Sequence, residues 1–239
     1  MNKLLPIILA TMLTAFCSRN NSTEFAVKQL KCNNLENPVG TGKVPSFGWT
    51  VLSTTRGMEQ SAYQIILDNK IKNLKSEENC SWNTGKTASS ESAWIPYSGP
   101  ELKPGTKYFW KVRIWDNKDN PSEWSSEAFF ITGLFETDDW ENAKWIGYEE
   151  IADSLILVPG VHGNGDNLGE TAQKRSVVPY FRKEFLAGKK ISHAFAFVSG
   201  LGQYELYING NKIGDRFLSP GWTNYKKTCY YNTFEVTNE

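Results

Sequence analysis

Leu102-Lys103-Pro104-Gly105-Thr106-Lys107-Tyr108-Phe109-Trp110-Lys111-Val112-Arg113-Ile114-Trp115 is the stretch whose reading decides the fold. Tyr108, Trp110, Val112 and Ile114 fall on one side of an extended chain; Phe109, Lys111, Arg113 and Trp115 fall on the other. Successive side chains of a strand point to opposite faces, so this alternation predicts a half-buried β-strand whose first set faces the core. Pro104 and Gly105 turn the chain just ahead of it, and a Tyr near the strand's start can hydrogen-bond back to that corner.

Similar short stretches lie on either side. Val27, Leu30 and Cys32 begin the series, and Phe47, Trp49 and Val51 alternate in the next strand. Residues 62–67 follow, then a polar stretch through Trp82 and Gly85, a short strand over 94–97 and a closing strand over 124–131. Trp49 and Trp110 are assigned to the core. About seven strands in about 110 residues, with a Tyr-bearing corner, resemble an Ig-like or fibronectin type III sandwich, expected over residues 25–136.

Thr137-Asp138-Asp139-Trp140 reads as a capped turn opening a linker that runs to residue 176. Within it, 159–170 is rich in Gly and Asn and lacks periodicity, as loops do. Strands are expected again over 177–185 and 191–198. Tyr204, Leu206 and Ile208 then alternate, Asn209-Gly210 predicts a type I′ hairpin turn, and 212–214 returns. A last strand is expected over 228–236.

The totals exclude some functions. Lys and Arg number 26 against 26 Asp and Glu, so the electrostatic footprint of a nucleic-acid binder is missing. No polybasic run addresses a membrane surface. Nine Trp and ten Tyr favour β-sheet cores and sugar-facing surfaces, since flat rings suit both.

Residues 1–24 read as a leader and tether. Lys3 supplies a short positive region, and the apolar run 4–16 has signal-peptide length, too short to cross a bilayer. Cys17 closes Leu13-Thr14-Ala15-Phe16-Cys17, which resembles a bacterial lipoprotein box except that Phe16 stands where a small residue is expected. Lipidation of Cys17 and ordinary cleavage near residues 15–18 both stay open. Export is the expectation, to the periplasm or as an outer-membrane lipoprotein of a Gram-negative cell, with lipid as the sole route to the membrane. Cys32, Cys80 and Cys229 show no CxxC and no metal spacing. An oxidising compartment permits a Cys32–Cys80 disulfide, but buried free thiols are the preferred reading.

Few constellations carry chemistry. Adjacent carboxylates at Asp138/Asp139 and Glu149/Glu150 point apart and cannot straddle a glycosidic bond, so turn capping and solvation are expected of them. His162 in the Gly-rich loop and His193 in a strand are thin material for a metal site or a triad. Residues 163–169 miss the GxGxxG spacing by one and have no βαβ context. Asp166 and Asn167 carry calcium-type oxygens without enough partners for a closed cage, so no catalytic residue, metal site or cofactor is assigned, and calcium in the β-sandwich is left open.

Sugar contact is the functional role that stays open. Asp215, Trp222, Asn224 and Tyr225 lie on or beside the segment after the hairpin. A Trp or Tyr face can stack on a pyranose while Asp and Asn bond its hydroxyls. The competing and preferred assignment makes Pro220-Gly221-Trp222 a structural turn, with Trp222 plugging the end of a sandwich.

Taken in order, two sets of blocks resemble the N-terminal region of bacterial α-L-rhamnosidases. The first is Leu30-Lys31-Cys32-Asn33-Asn34-Leu35-Glu36-Asn37-Pro38, Phe47-Gly48-Trp49, Ala62-Tyr63-Gln64-Ile65, Tyr108-Phe109-Trp110-Lys111-Val112, Trp124-Ser125 and Ala143-Lys144-Trp145-Ile146-Gly147. The second is Arg182-Lys183-Glu184-Phe185, then Val198-Ser199-Gly200-Leu201-Gly202-Gln203-Tyr204-Glu205-Leu206-Tyr207-Ile208-Asn209-Gly210, Gly214-Asp215 and Ser219-Pro220-Gly221-Trp222-Thr223-Asn224-Tyr225. The resemblance implies an all-β chain: a fibronectin type III/Ig-like sandwich, then over 177–239 the start of a galactose-binding-like jelly-roll sandwich. It also implies that hydrolysis, with inversion, is performed by two carboxylates of an (α/α)₆ barrel further along such proteins.

That barrel is not encoded here. A dozen helices of about 11–12 residues would fill most of the chain, whereas nearly every segment after residue 25 shows strand or turn chemistry. About five strands are visible in the second sandwich where a jelly roll needs about eight. The expectation is a non-catalytic, truncated portion, inactive alone, whose partners are a rhamnose-containing oligo- or polysaccharide and the missing C-terminal catalytic region of the same gene product. The alternatives are a stand-alone surface carbohydrate-binding lipoprotein and a structural spacer; the block 200–225 argues against the spacer, which has no need of it.

Overall fold

The structure is a computed structural model and describes residues 25–148, 178–188 and 190–239. The expected leader with Cys17, the Glu149/Glu150 pair and the loop bearing His162, Asp166 and Asn167 lie outside the described residues. The chain divides into two compact units, one ending at Thr132 and the other starting at Gly133.

The first unit carries β1 (Phe25–Cys32), β2 (Val39–Thr41), β3 (Ser46–Ser53), β4 (Gln60–Asp68), β5 (Trp82–Asn83), β6 (Thr87–Ala88), β7 (Ile95–Pro96), β8 (Lys107–Asp116) and β9 (Ala128–Thr132). One sheet has the order β1-β3-β7, and the other runs β2-β9-β8-β4-β5 with β6 also on β4. All pairings within this unit are antiparallel except β2 with β9. The architecture is an Ig-like β-sandwich, and the described residues of the chain are all-β.

β8 alternates as its sequence predicts. Tyr108, Trp110, Val112 and Ile114 are buried, while Phe109, Lys111 and Arg113 are half-buried on the outer face. Trp110 meets Phe47 of the opposite sheet at 4.6 Å between ring centroids, and Phe47 also touches Trp82, Tyr97 and Phe130. Burial of each such ring is worth about 1.5–3 kcal/mol, so this aromatic cluster is the main thing that joins the two sheets. Trp82 thus belongs to the core, whereas the polar sequence around it predicts a loop. Its strand is only two residues long, too short for alternation to show.

Two departures in β1 share one cause. Phe25 and Val27 are buried, yet so is Cys32, which is out of step with them, and Leu30 is only half-buried. The register with β3 shifts between Lys28 and Lys31, where Gln29 takes φ of 50°. A bulge adds a residue to one strand and re-aims everything after it. Burial pushes the Cys32 thiol pKa up to about 12, so it behaves as an inert apolar group. Cys32, Cys80 and Cys229 are all free thiols, although only Cys32 is buried.

The second unit holds β10 (Phe195–Ser199), β11 (Leu206–Ile208), β12 (Asn211–Ile213) and β13 (Tyr231–Glu235) among its described residues. β10 pairs with β13 and β11 with β12, all antiparallel. Asn209 and Gly210 both take positive φ, 51° and 86°, as a type I′ turn requires. The Tyr231 hydroxyl accepts from the Leu134 amide and donates to the Leu134 carbonyl, each at 2.8 Å, which ties the start of this unit to β13.

The strand expected over 177–185 does not form in the described part of that range, 178–185. Pro179 lacks an N–H, and Tyr180 and Phe185 stand 97% and 79% exposed, so no ladder or core face holds the segment extended. The strand expected from 191 starts instead at Phe195, which leaves His193 before β10, stacked at 6.4 Å on Phe195.

Candidate functional site

The site is built on the segment between β12 and β13. Gly214 leaves β12 with φ of 79°, and the Ser219–Pro220 peptide bond is cis. The Ser219 carbonyl accepts from the Tyr204 amide at 3.1 Å. Asn232 of β13 gathers the segment from the side: its Oδ1 accepts from the Tyr204 hydroxyl at 2.9 Å and from Ser219 Oγ at 2.8 Å. Burial pushes the Tyr204 phenol up to about 12, so it remains a donor throughout the physiological range. Sequence reasoning missed Asn232, because an Asn inside a strand carries no local sign of what lies opposite. Its fixed partner Tyr204 lies in the alternating stretch 204–208, where nothing local marks its hydroxyl as a donor to a distant strand.

Beyond this anchor the chain turns back. Asn224 accepts from the Lys227 and Thr228 amides at its carbonyl, 2.8 and 2.9 Å, and from the Lys226 amide at its side-chain Oδ1, 3.1 Å. Such side-chain-to-backbone bonding mimics a backbone turn and fixes the loop without a core. Thr223 donates its hydroxyl to the Thr228 carbonyl across the same turn. Asn224 is therefore partly spent on local structure.

Trp222 is 64% exposed on this turn, and Tyr225 is 37% exposed three residues on. The indole does not plug the end of a sandwich; Pro220 is the residue that is buried there. Asp215 is also exposed, on the segment just after β12. Trp222, Asn224 and Tyr225 share one turn, but no hydrogen bond or ring contact among the described residues joins Asp215 to them. The arrangement offers an aromatic face, an amide and a carboxylate to solvent, which suits contact with a hydroxyl-rich ligand.

Two other carboxylates of this unit, Asp139 and Glu205, have structural work. Asp139 Oδ2 accepts from the Phe135 and Glu136 amides at 2.6 and 2.8 Å, capping the 3₁₀ turn Thr137–Trp140. Its neighbour Asp138 accepts at its carbonyl from Glu141. On the β11–β12 hairpin Glu205 pairs with Lys212 and accepts from the Tyr207 hydroxyl at 2.8 Å. The Lys212 hydrogen bond, then that from Tyr207, holds the Glu205 carboxyl below its ordinary range.

Comparison with known proteins accounts for both units. The Rha78A-like N-terminal immunoglobulin domain family matches residues 27–136, and the alpha-L-rhamnosidase N-terminal domain family matches residues 189–239. An alpha-L-rhamnosidase of Formosa agariphila is 31% identical over 244 residues, which cover 100% of this chain and 25% of the relative. One of Streptomyces avermitilis is 39% identical over 196 residues, 79% of this chain and 18% of the relative. The solved alpha-L-rhamnosidase of Dictyoglumus thermophilum is 38% identical with a TM-score of 0.71, over 88% of this chain and 23% of that one. The chain spans about a quarter or less of the length of the relatives it matches. By sequence order, by fold and by both domain matches, it belongs to the α-L-rhamnosidases and corresponds to their N-terminal region.

Proposed function

We propose that this chain is the accessory, substrate-recognising part of a secreted α-L-rhamnosidase that removes terminal α-L-rhamnose from plant-type glycans. The exposed Trp222 indole carries the reading. It stands on a turn fixed by Asn224, in the unit that matches the rhamnosidase N-terminal domain. Its face can stack on the apolar side of a rhamnose ring, whose methyl group adds to the contact, while Asp215 and Asn224 meet ring hydroxyls. Tyr225 extends the aromatic surface.

Hydrolysis itself needs two carboxylates on opposite sides of the scissile bond, one as acid and one as base. Of the adjacent Asp138 and Asp139, the Asp139 carboxylate is committed to its turn, and neighbours in one turn do not face each other across a bond. In this reading the bond is broken by a catalytic region of the same gene product, and the present chain only holds or orients the glycan. The protein is exported, an assignment supported by Lys3 and the apolar run 4–16, with Cys17 as the lipid acceptor.

Calorimetry of the 239-residue chain with L-rhamnose tests the recognition role. Heat of binding lost in Trp222→Ala is expected; heat unchanged by that substitution overturns the assignment. An aryl α-L-rhamnoside incubated with the same chain should release no chromophore, and turnover by the purified chain would contradict the accessory role. Radiolabelled palmitate is expected in the wild type and not in Cys17→Ala.

A further inference from the structure

The geometry points to a second carbohydrate-binding surface, on the Ig-like unit: a cleft between the end of β3 and the β6–β7 connection that takes a neutral oligosaccharide. Its lining is Val51, Ser53, Thr55, Met58, Glu59, Gln60 and Ser90, around an open volume of about 480 Å³. Ligand clefts fall at about 300–1,000 Å³, and this one lies in that range and is open along one side, so it would contact one face of a sugar chain rather than enclose it.

Both banks are pinned. On one side Ser53 Oγ accepts from the Thr55 amide at 3.0 Å, and the Gly57 carbonyl accepts from Asn117 Nδ2 at 3.1 Å. On the other, the Trp49 amide donates to the Ser92 carbonyl at 2.8 Å. Gln60 forms the floor and is buried; its amide donates to the Ser89 and Glu91 carbonyls at 3.1 and 2.7 Å and accepts from the Trp49 indole at 2.9 Å. A cleft held this way is largely ordered before a ligand arrives, which lowers the cost of binding.

The groups on the rim are unspent. The Thr55 and Ser90 hydroxyls and the Glu59 carboxylate hydrogen-bond to no other described residue, and all three residues are exposed. Val51 and Met58 add half-buried apolar surface between them. Hydroxyls, a carboxylate and small apolar patches match the alternating polar and apolar faces of a pyranose. With an acid and no base in the lining, the match is to a neutral glycan and against a uronate.

The test follows backbone amide shifts of the full chain titrated with rhamnobiose, cellotriose and trigalacturonate. Shifts over 51–60 and 89–94 with a neutral probe are expected. Thr55→Ala combined with Ser90→Ala should weaken that response about tenfold, as loss of two hydrogen bonds implies, and Ser90→Trp should abolish it by filling the cleft. If neither neutral probe moves these amides at millimolar concentration, or trigalacturonate moves them as strongly, the proposal falls. Shifts confined to 215–225 also overturn it while leaving the Trp222 assignment standing. Cleft shifts that persist when Trp222→Ala removes the other response establish two separate contacts.

Discussion

The Lys103 amide donates to the Tyr108 hydroxyl at 2.9 Å, so the first residue of the buried face of β8 also closes the corner from which the strand starts. Thr132 of β9 reinforces the same corner, its hydroxyl donating to the Lys103 carbonyl at 2.7 Å and accepting from the Thr106 amide at 2.9 Å. Tyr108→Phe keeps the ring and its stack on Phe130 but leaves the Lys103 amide without that acceptor. A loss of about 1–3 kcal/mol is expected from an unpaired, part-buried donor. The urea midpoint of the Ig-like unit should fall at unchanged slope. An unmoved midpoint would mean that water replaces the bond at no cost.

Asp68 sets a pH dependence. Burial pushes its carboxyl up, but the Ser81 hydroxyl and amide, the Lys70 amide and the Asn73 side chain all donate to it and together bring it below the ordinary carboxylate range. A carboxyl lowered in the folded state stabilises above its unfolded pKa, and that stability is lost as pH falls through the folded value. The Ig-like unit should therefore lose stability below about pH 4, the unfolded value of an Asp. Asp68→Asn should be less stable at pH 7 and show a shallower loss between neutral and acid pH. Parallel midpoint-against-pH curves for the two proteins would contradict this role for Asp68.

What the sequence made legible depended on length and on locality. β8 and β4 are ten and nine residues long, enough for alternation or continuous apolarity to be seen. The Asn209-Gly210 turn is local chemistry and was equally plain. β2, β5 and β6 are only two or three residues each and exist because a neighbour supplies their hydrogen bonds, which no local pattern records. Residues 178–185 show the converse: an apolar pattern with no described neighbour to complete it. At the candidate site, the exposed aromatic and polar residues were readable as types. The Tyr204–Asn232–Ser219 anchor was not, since its members come together across 28 residues and 13 residues of chain.

The outer face of β8 makes a third prediction. Lys111 lies 5.0 Å from the Trp124 ring and Arg113 lies 4.7 Å from it, with Arg113 also over Trp115. Ser122 and Ser125 bind β8 through the Ile114 and Val112 amides, each at 3.1 Å, so the segment before β9 is held by both backbone and rings. A double-mutant cycle of Lys111→Met with Trp124→Leu should give a coupling of about 0.5–1 kcal/mol. Additive effects in urea denaturation would show that the cation and ring merely sit near each other.

Gly210 and Gly214 allow backbone strain to be separated from steric exclusion. Both take positive φ, 86° and 79°, where a side chain costs about 1–2 kcal/mol. They differ in their surroundings: a Cβ on Gly210 would meet nothing within 4 Å, whereas one on Gly214 would stand 2.7 Å from Cε1 of Phe234. Gly210→Ala should therefore carry the backbone cost alone. Gly214→Ala should carry that cost and also push Phe234 of β13 aside, loosening the strand that holds Asn232 and, through it, Ser219. Amide hydrogen exchange over β10 and β13 measures the difference, with faster exchange expected in Gly214→Ala than in Gly210→Ala. Equal exchange in the two variants would mean that the Phe234 ring swings clear, and that the anchor of the Trp222 segment does not depend on its packing against Gly214.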